Sequence, residues 1–441
     1  MSTTLSGAPI GAASGAPLGR LADKRPTSLL RYARLTDPAA MFAWVFFTTV
    51  PMDWAAPLRY LIVAYFVCVI LVFVRDTMPA YLRAWPTLVL PIMCVISAVW
   101  APSTNEAIRK GVLLGLTGTV AVFAASRLSA RQIIACYYLG EIYGAVLSVL
   151  HPSIAGGGWT GVFGQKNFMA VHMFIFYTTG MAVLLDRGFH KYLRMSALIF
   201  VPMAAGLIFL SHSATTVLLL GAATMALLVH AFVWQPAARV PHMRAFIVVS
   251  LFLLGSAAGL LLFGLLQVDA MDTVLRAFGK DSTLTGRTFI WDWGRRVMAE
   301  HPWTGVGANG FWRPEIGIAN QITTYFSFEQ FVKFSFHNSY IENGVQLGYP
   351  GYYYTYFLIG WGLWNGLRNW MRNQSLVNAA FFIIGVMVVV RSNTEIDMAA
   401  ELAGTAILLF IGAIRKEDPR KPPRPPLLLA APQPRAIGYY R

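Results

Sequence analysis

The sequence predicts an all-α integral membrane protein with about twelve transmembrane helices and one long polar loop between the ninth and tenth. Three observations predict it. Hydrophobic residues make up 56% of the chain and charged residues 12%, with a mean hydropathy of +0.55, a balance that soluble domains do not carry. Apolar stretches of about 17–25 residues recur, long enough to cross roughly 30 Å of hydrocarbon, where a helix satisfies its own backbone. Basic residues collect in alternate loops between those stretches.

In chain order, residues 1–38 begin small and polar and then turn basic, with Arg20, Lys24, Arg25, Arg31 and Arg34. They lack the early apolar core of a cleavable signal peptide and read as a cytoplasmic tail. A polytopic domain follows over 39–414, with spans centred on 39–54, 60–74, 85–100, 111–125, 133–150, 168–185, 196–210, 215–234, 245–266, 344–367, 376–390 and 398–414. The first is short and holds Pro51 near its end; the seventh and eighth are divided at the polar break 211–213, because the joint run is too long for one crossing.

With the N-terminus inside, Arg75, Arg83, Arg127, Arg131, Arg187, Lys191, Arg194, Arg239, Arg244, Arg368 and Arg372 all fall in inside loops, as the positive-inside rule requires. The interval 267–337 then lies outside, and the Pro- and Arg-rich stretch 415–441 reads as a disordered cytoplasmic tail. The same loop charges explain the net charge of +15 without nucleic acid. Cys68, Cys94 and Cys136 sit in apolar runs as small hydrophobes and indicate neither a disulfide framework nor a metal site. The sequence carries no phosphate-cradling glycine loop, which argues against a nucleotide-driven pump.

Candidate chemistry concentrates in the outer polar interval and the loops beside it. In FSFHNSYIENGVQLGYPG, Asn338 or Ser339 can cap a helix, placing His337 at its outer rim. Imidazole at a water–membrane boundary suits proton abstraction, and suits a plain interfacial hydrogen bond as well. Glu342 lies off the helical face of His337 and is a weak partner for it. TLTGRTFIWDWGRRVMAEHP reads as an amphipathic helix capped by Thr285, with Ile290, Trp293 and Val297 as its apolar stripe. Arg287, Trp291 and Arg295 share another face. An arginine at a helix N-terminus suits a diphosphate, whereas Arg295 and Arg296 read as surface charges.

In GGGWTGVFGQKNFMA, Lys166 is a cation at a helix start, an unfavourable place without an anion nearby. His212, between two spans, is either a turn residue or a ligand contact. Glu141 inside the fifth apolar run is either functional or neutralised by a neighbouring span. Arg391 and Glu395 are expected to pair across one helical turn, and His151 and His301, each beside a proline, read as turn residues. The loop aromatics Trp291, Trp293, Trp303, Phe311, Trp312, Tyr325 and Phe326 either stack on sugars or anchor at the interface.

TGRTFIW, HPWTGVGANGFW and HNSYIENGVQLGYPG together resemble the C-terminal signature of the O-antigen ligase and polymerase superfamily. GVFGQKN resembles the G-x-F-G-x-K-N segment of its exopolysaccharide-polymerase branch. The resemblance implies a bacterial inner-membrane enzyme with both termini cytoplasmic and the active site, including loop 267–337, facing the periplasm. It implies inverting, metal-independent transfer of an undecaprenyl-diphosphate-linked glycan to an acceptor sugar hydroxyl, with no cofactor. His337 would be the general base or acceptor-orienting group, Arg287 the holder of the diphosphate and Lys166 a second donor contact. Asn338, Glu342, Glu141 and Trp291 stand beside them as supporting residues.

The family commonly places arginine or lysine after the serine that follows the seventh span. Here the segment reads Ser211-His212-Ser213, so either His212 takes over the anion contact or that part of the site is built differently. Expected partners are the lipid-linked donor, the glycan acceptor, membrane lipids, a flippase and a chain-length regulator. A polymerase of exopolysaccharide or O-antigen repeats is the leading reading. A ligase moving finished glycan to lipid A core or protein is the alternative. A lipid-linked sugar flippase or transporter predicts internal repeats and interrupted midplane helices, which the sequence does not clearly show.

Overall fold

The computed structural model describes residues 28–50, 52–261, 286–326 and 334–416. The tails before 28 and after 416, the end of the expected ninth span, Thr285 and residues 267–285 and 327–333 of the outer interval lie outside the described residues.

Helices dominate: α1 (Ser28–Thr49), α2 (Ala56–Val72), α3 (Val74–Arg83), α4 (Pro86–Ile96), α5 (Thr104–Arg127) and α6 (Ala130–Leu150). A two-residue hairpin, β1 (Ile154–Ala155) and β2 (Gly158–Trp159), leads into α7 (Lys166–Leu185), α8 (Lys191–Leu210), α9 (Ala214–Val229) and α10 (Met243–Gly259). The outer layer carries α11 (Arg287–Glu300) and α12 (Gly317–Tyr325), followed by α13 (Ser339–Arg372), α14 (Leu376–Arg391) and α15 (Gly404–Ile414).

A helix stands at each of the twelve expected spans. Length and apolarity suffice for a crossing in five of them among the described residues, α5 to α9, or six if α2 and α3, bent by 106° at Phe73, form one span. Four more apolar helices, α4, α10, α14 and α15, are shorter. The structure therefore supports a multi-pass helical membrane protein with several long spans, and the expected count of twelve is not confirmed among the described residues. The shortfall has a physical cause. α13 buries Glu342, Asn343 and Gln346 in its first turns, so it is no uniformly apolar rod, and α15 begins only at Gly404 because 392–403 folds back as a polar turn.

Local chemistry sets the helix ends. Ser129 and Gln132 form a capping box at α6, Ser375 caps α14, and the Asn338 side chain accepts from the Tyr340 and Ile341 N–H groups at 3.0 Å each. The Asn338 cap is the expected one. α11 instead starts from Gly286 in a left-handed conformation, with no side-chain cap. α7 lies at the centre of the bundle, packed by α6, α8, α9 and α14.

The outer segments have their own small core, built by Ile290, Val297, Phe311, Trp312, Phe336 and Ile341, which rests on the first half of α13. What joins the two is a break in α13. Pro350 has no N–H to give Gln346, and Tyr349 N donates to the Pro302 carbonyl instead of continuing the helix. The chain bends at Gly348, with φ 71°. The freed carbonyls of Val345 and Gln346 accept from Val306 and Gly307 at 2.9 and 3.0 Å. Gly305 and Gly307 permit this approach, since a Cβ there would lie 2.4 Å from Gln346 and 2.5 Å from Ala101. The glycines of HPWTGVGANG are thus the counterpart of the proline in LGYPG.

Candidate active site

His337 stands immediately before the α13 cap, in a left-handed backbone conformation with φ 48° that non-glycine residues seldom adopt. The peptide of Phe336 holds it there from both sides. Glu342 Oε2 accepts from the Phe336 N–H and Trp291 Nε1 donates to the Phe336 carbonyl, each at 2.9 Å. The expectation that Glu342 is no direct partner of His337 agrees with the geometry; its part is to fix the backbone next to it. Gln346 extends the support. Its amide donates to Glu342 at 2.7 Å, and its oxygen accepts from Lys110 Nζ of α5 at 2.6 Å and from Asn309 N at 3.0 Å.

The centre of the constellation is Glu395, in the turn after α14. Its Oε2 lies 3.3 Å from His337 Nδ1, while Oε1 accepts from Arg287 at 3.1 Å and from Asn167 at 2.8 Å. One carboxylate thus gathers the start of α11, the start of α7 and the residue before α13. Burial opposes its charge, but the hydrogen bond with His337 and the guanidinium groups of Arg391 and Arg287 outweigh it, holding the carboxyl below its ordinary value. The turn is stitched in place by Ser339, which accepts from Met398 N, donates to the Glu395 carbonyl and bonds the Ser392 carbonyl through its own N–H.

The one-turn pair of Arg391 with Glu395 expected from the sequence does not form. Arg391 forms a bidentate ion pair with Asp397, at 2.9 and 3.3 Å, which leaves the Glu395 side chain for the outer cluster. A fork-shaped guanidinium is best matched by a whole carboxylate, and the turn brings Asp397 to it. Glu141 is buried and bonded at 3.0 and 3.1 Å to His172 of α7, itself stacked on Phe163, and these bonds lie outside the Glu395 cluster.

Lys166 opens α7 next to Asn167, and its amine donates to the Gly156 carbonyl of the hairpin. A Cβ added at Gly158 would meet both the Ser211 carbonyl and the Lys166 stem, so the turn carrying His212 lies close to the same hairpin. His212 is exposed, with φ 51° and its N–H on Phe209, the geometry of a turn residue. Phe311 and Trp312, offered as sugar-stacking or interfacial groups, instead fill the outer core, whereas Trp303 is exposed. The sequence reading missed Glu395 as a hub, Asn167, Gln346 and Lys110. Asn167 had a signal, as the neighbour of Lys166 in GQKN.

Residues 198–356 match the family model described as O-antigen ligase, a stretch that includes Arg287 and His337 but neither Asn167 nor Glu395. The exopolysaccharide production protein ExoQ of Rhizobium meliloti (strain 1021) is 28% identical over 188 residues, covering 42% of this chain and 41% of that protein. The match thus spans about two fifths of the length of that curated relative.

Proposed function

We propose that the chain acts as a member of the O-antigen ligase and polymerase superfamily and transfers a polyprenyl-diphosphate-linked glycan to a hydroxyl acceptor at the membrane face that carries the Glu395 cluster. The observation that carries this reading is one carboxylate bonded to both an arginine and a histidine from separate outer elements. Glu395 accepts from Nδ1 of His337, which leaves Nε2 as a lone-pair base, the logic by which an acid orients a catalytic imidazole. Nε2 takes the proton as the acceptor oxygen attacks the anomeric carbon from the face opposite the leaving group, with inversion. The bond to the diphosphate breaks, and its electron pair leaves with the diphosphate.

Arg287 has five N–H donors, and its bond to Glu395 leaves others for the diphosphate; Lys166 adds a second cation from the α7 start. Cationic side chains suffice for a leaving group this stable, and holding donor and acceptor together supplies much of the remaining acceleration. The same reading places this face in the periplasm of a bacterial inner membrane, with both termini in the cytoplasm.

Two acceptors compete. The description of the matching family favours a ligase that moves finished glycan to lipid A core or protein. The GVFGQKN segment and the likeness to an exopolysaccharide production protein favour a polymerase of repeat units. Glycans of a deletion strain separate them: single accumulated repeat units mean polymerase, and long lipid-linked chains without a final acceptor mean ligase. In either case His337→Ala and Arg287→Ala should each lower transfer by about 10²-fold or more at unchanged protein level, and normal product from either variant would sink the site assignment. Transfer persists in chelator; loss that a divalent ion restores would contradict the metal-independent mechanism.

A further inference from the structure

At the other end of α14 from Glu395, a cavity of about 280 Å³ opens between α7, α9 and α14 and the last turns of α13. Phe174, Ala226, Trp234, Trp370, Phe382 and Val386 line it, and its walls are almost wholly apolar. Ala226 and Val386 at its rim are exposed, on helices that face outward in a multi-pass membrane protein, so the medium that meets the opening is lipid hydrocarbon. One end is different. The α9 chain continues to Trp234, whose ring carries the Arg244 guanidinium at 5.1 Å and whose carbonyl accepts from Arg244 Nε at 3.1 Å. Trp370 packs beside Trp234 and His230 there, and its indole N–H has no acceptor among the described residues.

We propose that this cavity binds one acyl chain of an anionic glycerophospholipid, with the lipid phosphate at Arg244. An apolar slot facing lipid takes hydrocarbon, and a basic group beside tryptophans at its end is the chemistry that holds a lipid phosphate at an interface. The Arg244 fork keeps its terminal amino groups beyond the Trp234 bond, and an ester oxygen is the kind of acceptor the Trp370 N–H lacks. The phosphate at Arg244 is not the donor's diphosphate, which belongs to the Glu395 end, about 22 Å away along the sixteen residues of α14. Two walls of the cavity, α7 and α14, run on to Asn167 and to the turn that carries Glu395. A chain seated between them fixes the spacing of the elements that meet at the hub.

The test uses the full-length protein in detergent, titrated with phosphatidylglycerol or phosphatidylcholine, with bound lipid counted by native mass spectrometry. One phosphatidylglycerol is expected to bind about five- to tenfold tighter than phosphatidylcholine, as one arginine near a lipid phosphate supplies. Ala226→Trp, which fills the slot, should remove that site, and Arg244→Gln should erase the preference between the two lipids while keeping the chain. Phosphatidylglycerol carrying a photoreactive diazirine at its acyl end gives a readout that needs no variant: crosslinks should fall within 222–234 and 370–386. Crosslinks elsewhere, equal affinity for the two lipids, undiminished binding by Ala226→Trp, or co-purified polyprenyl lipid in the slot would each overturn the proposal. None of these readouts involves glycan transfer, so they stand or fall apart from the activity.

Discussion

Two acidic residues of one short turn, Glu395 and Asp397, meet arginines in opposite ways. Asp397 forms a closed pair with Arg391, both groups buried and both carboxylate oxygens engaged by one guanidinium. Glu395 divides its oxygens among Arg287, Asn167 and His337, and the arginine and histidine side chains remain 22% and 27% exposed. The closed pair can hold the turn but can act on nothing outside it. The open hub orders three elements while leaving an imidazole and a guanidinium partly exposed. Sharing one acid among several partners is what turns an ion pair into a candidate site.

Arg391→Leu should have the largest effect. It leaves Asp397 buried without its partner, which costs about 3–5 kcal/mol, so the variant should melt far below wild type in detergent. His337→Ala should instead leave the melting point nearly unchanged and lower transfer by about 10²–10⁴-fold, the contribution of a positioned general base. Arg287→Ala should cost transfer about 10²-fold, through lost stabilisation of the leaving diphosphate and a loosened hub.

Acid should separate the two clusters more mildly. Because the Glu395 carboxyl is held below its ordinary value, its contribution to stability is complete above the unfolded value of roughly pH 4.3 and is lost as pH falls through the lower, folded one. The melting-point gap between wild type and Glu395→Gln should therefore stay constant from neutrality to about pH 5 and close in stronger acid. Smallest of all, His212→Ala should change stability by no more than about 0.5 kcal/mol, as expected of an exposed turn residue. A large transfer defect in that variant would restore His212 to the anion site.

The helical membrane class was legible in composition and in the length of the apolar runs, since both follow directly from the solvent. The start of α13 was legible as well, because Asn338 caps through purely local geometry. Two kinds of feature were hidden. Span count depends on how far each helix stays apolar and straight, and neither the bend at Phe73 nor the polar first turns of α13 show in a hydropathy window. Ion-pair partners depend on the path of a turn. Arg391 and Glu395 have helical spacing, yet the chain leaves the helix at Ser392 and Asp397 swings into the place expected for Glu395. Arg287 and His337 stood out by residue type and position, but the acid that joins them lies 58 residues beyond His337, a separation no local pattern reports.

Glu395 is the residue proposed to set Arg287 and His337 for transfer. The direct measurement is the initial rate of glycan transfer by Glu395→Gln, in membranes matched for protein level. A fall of at least about tenfold is expected, because an amide keeps the shape but removes the charge that orients the imidazole and stabilises its protonated form. Transfer at the wild-type rate would contradict it and would reduce the hub to a structural clasp.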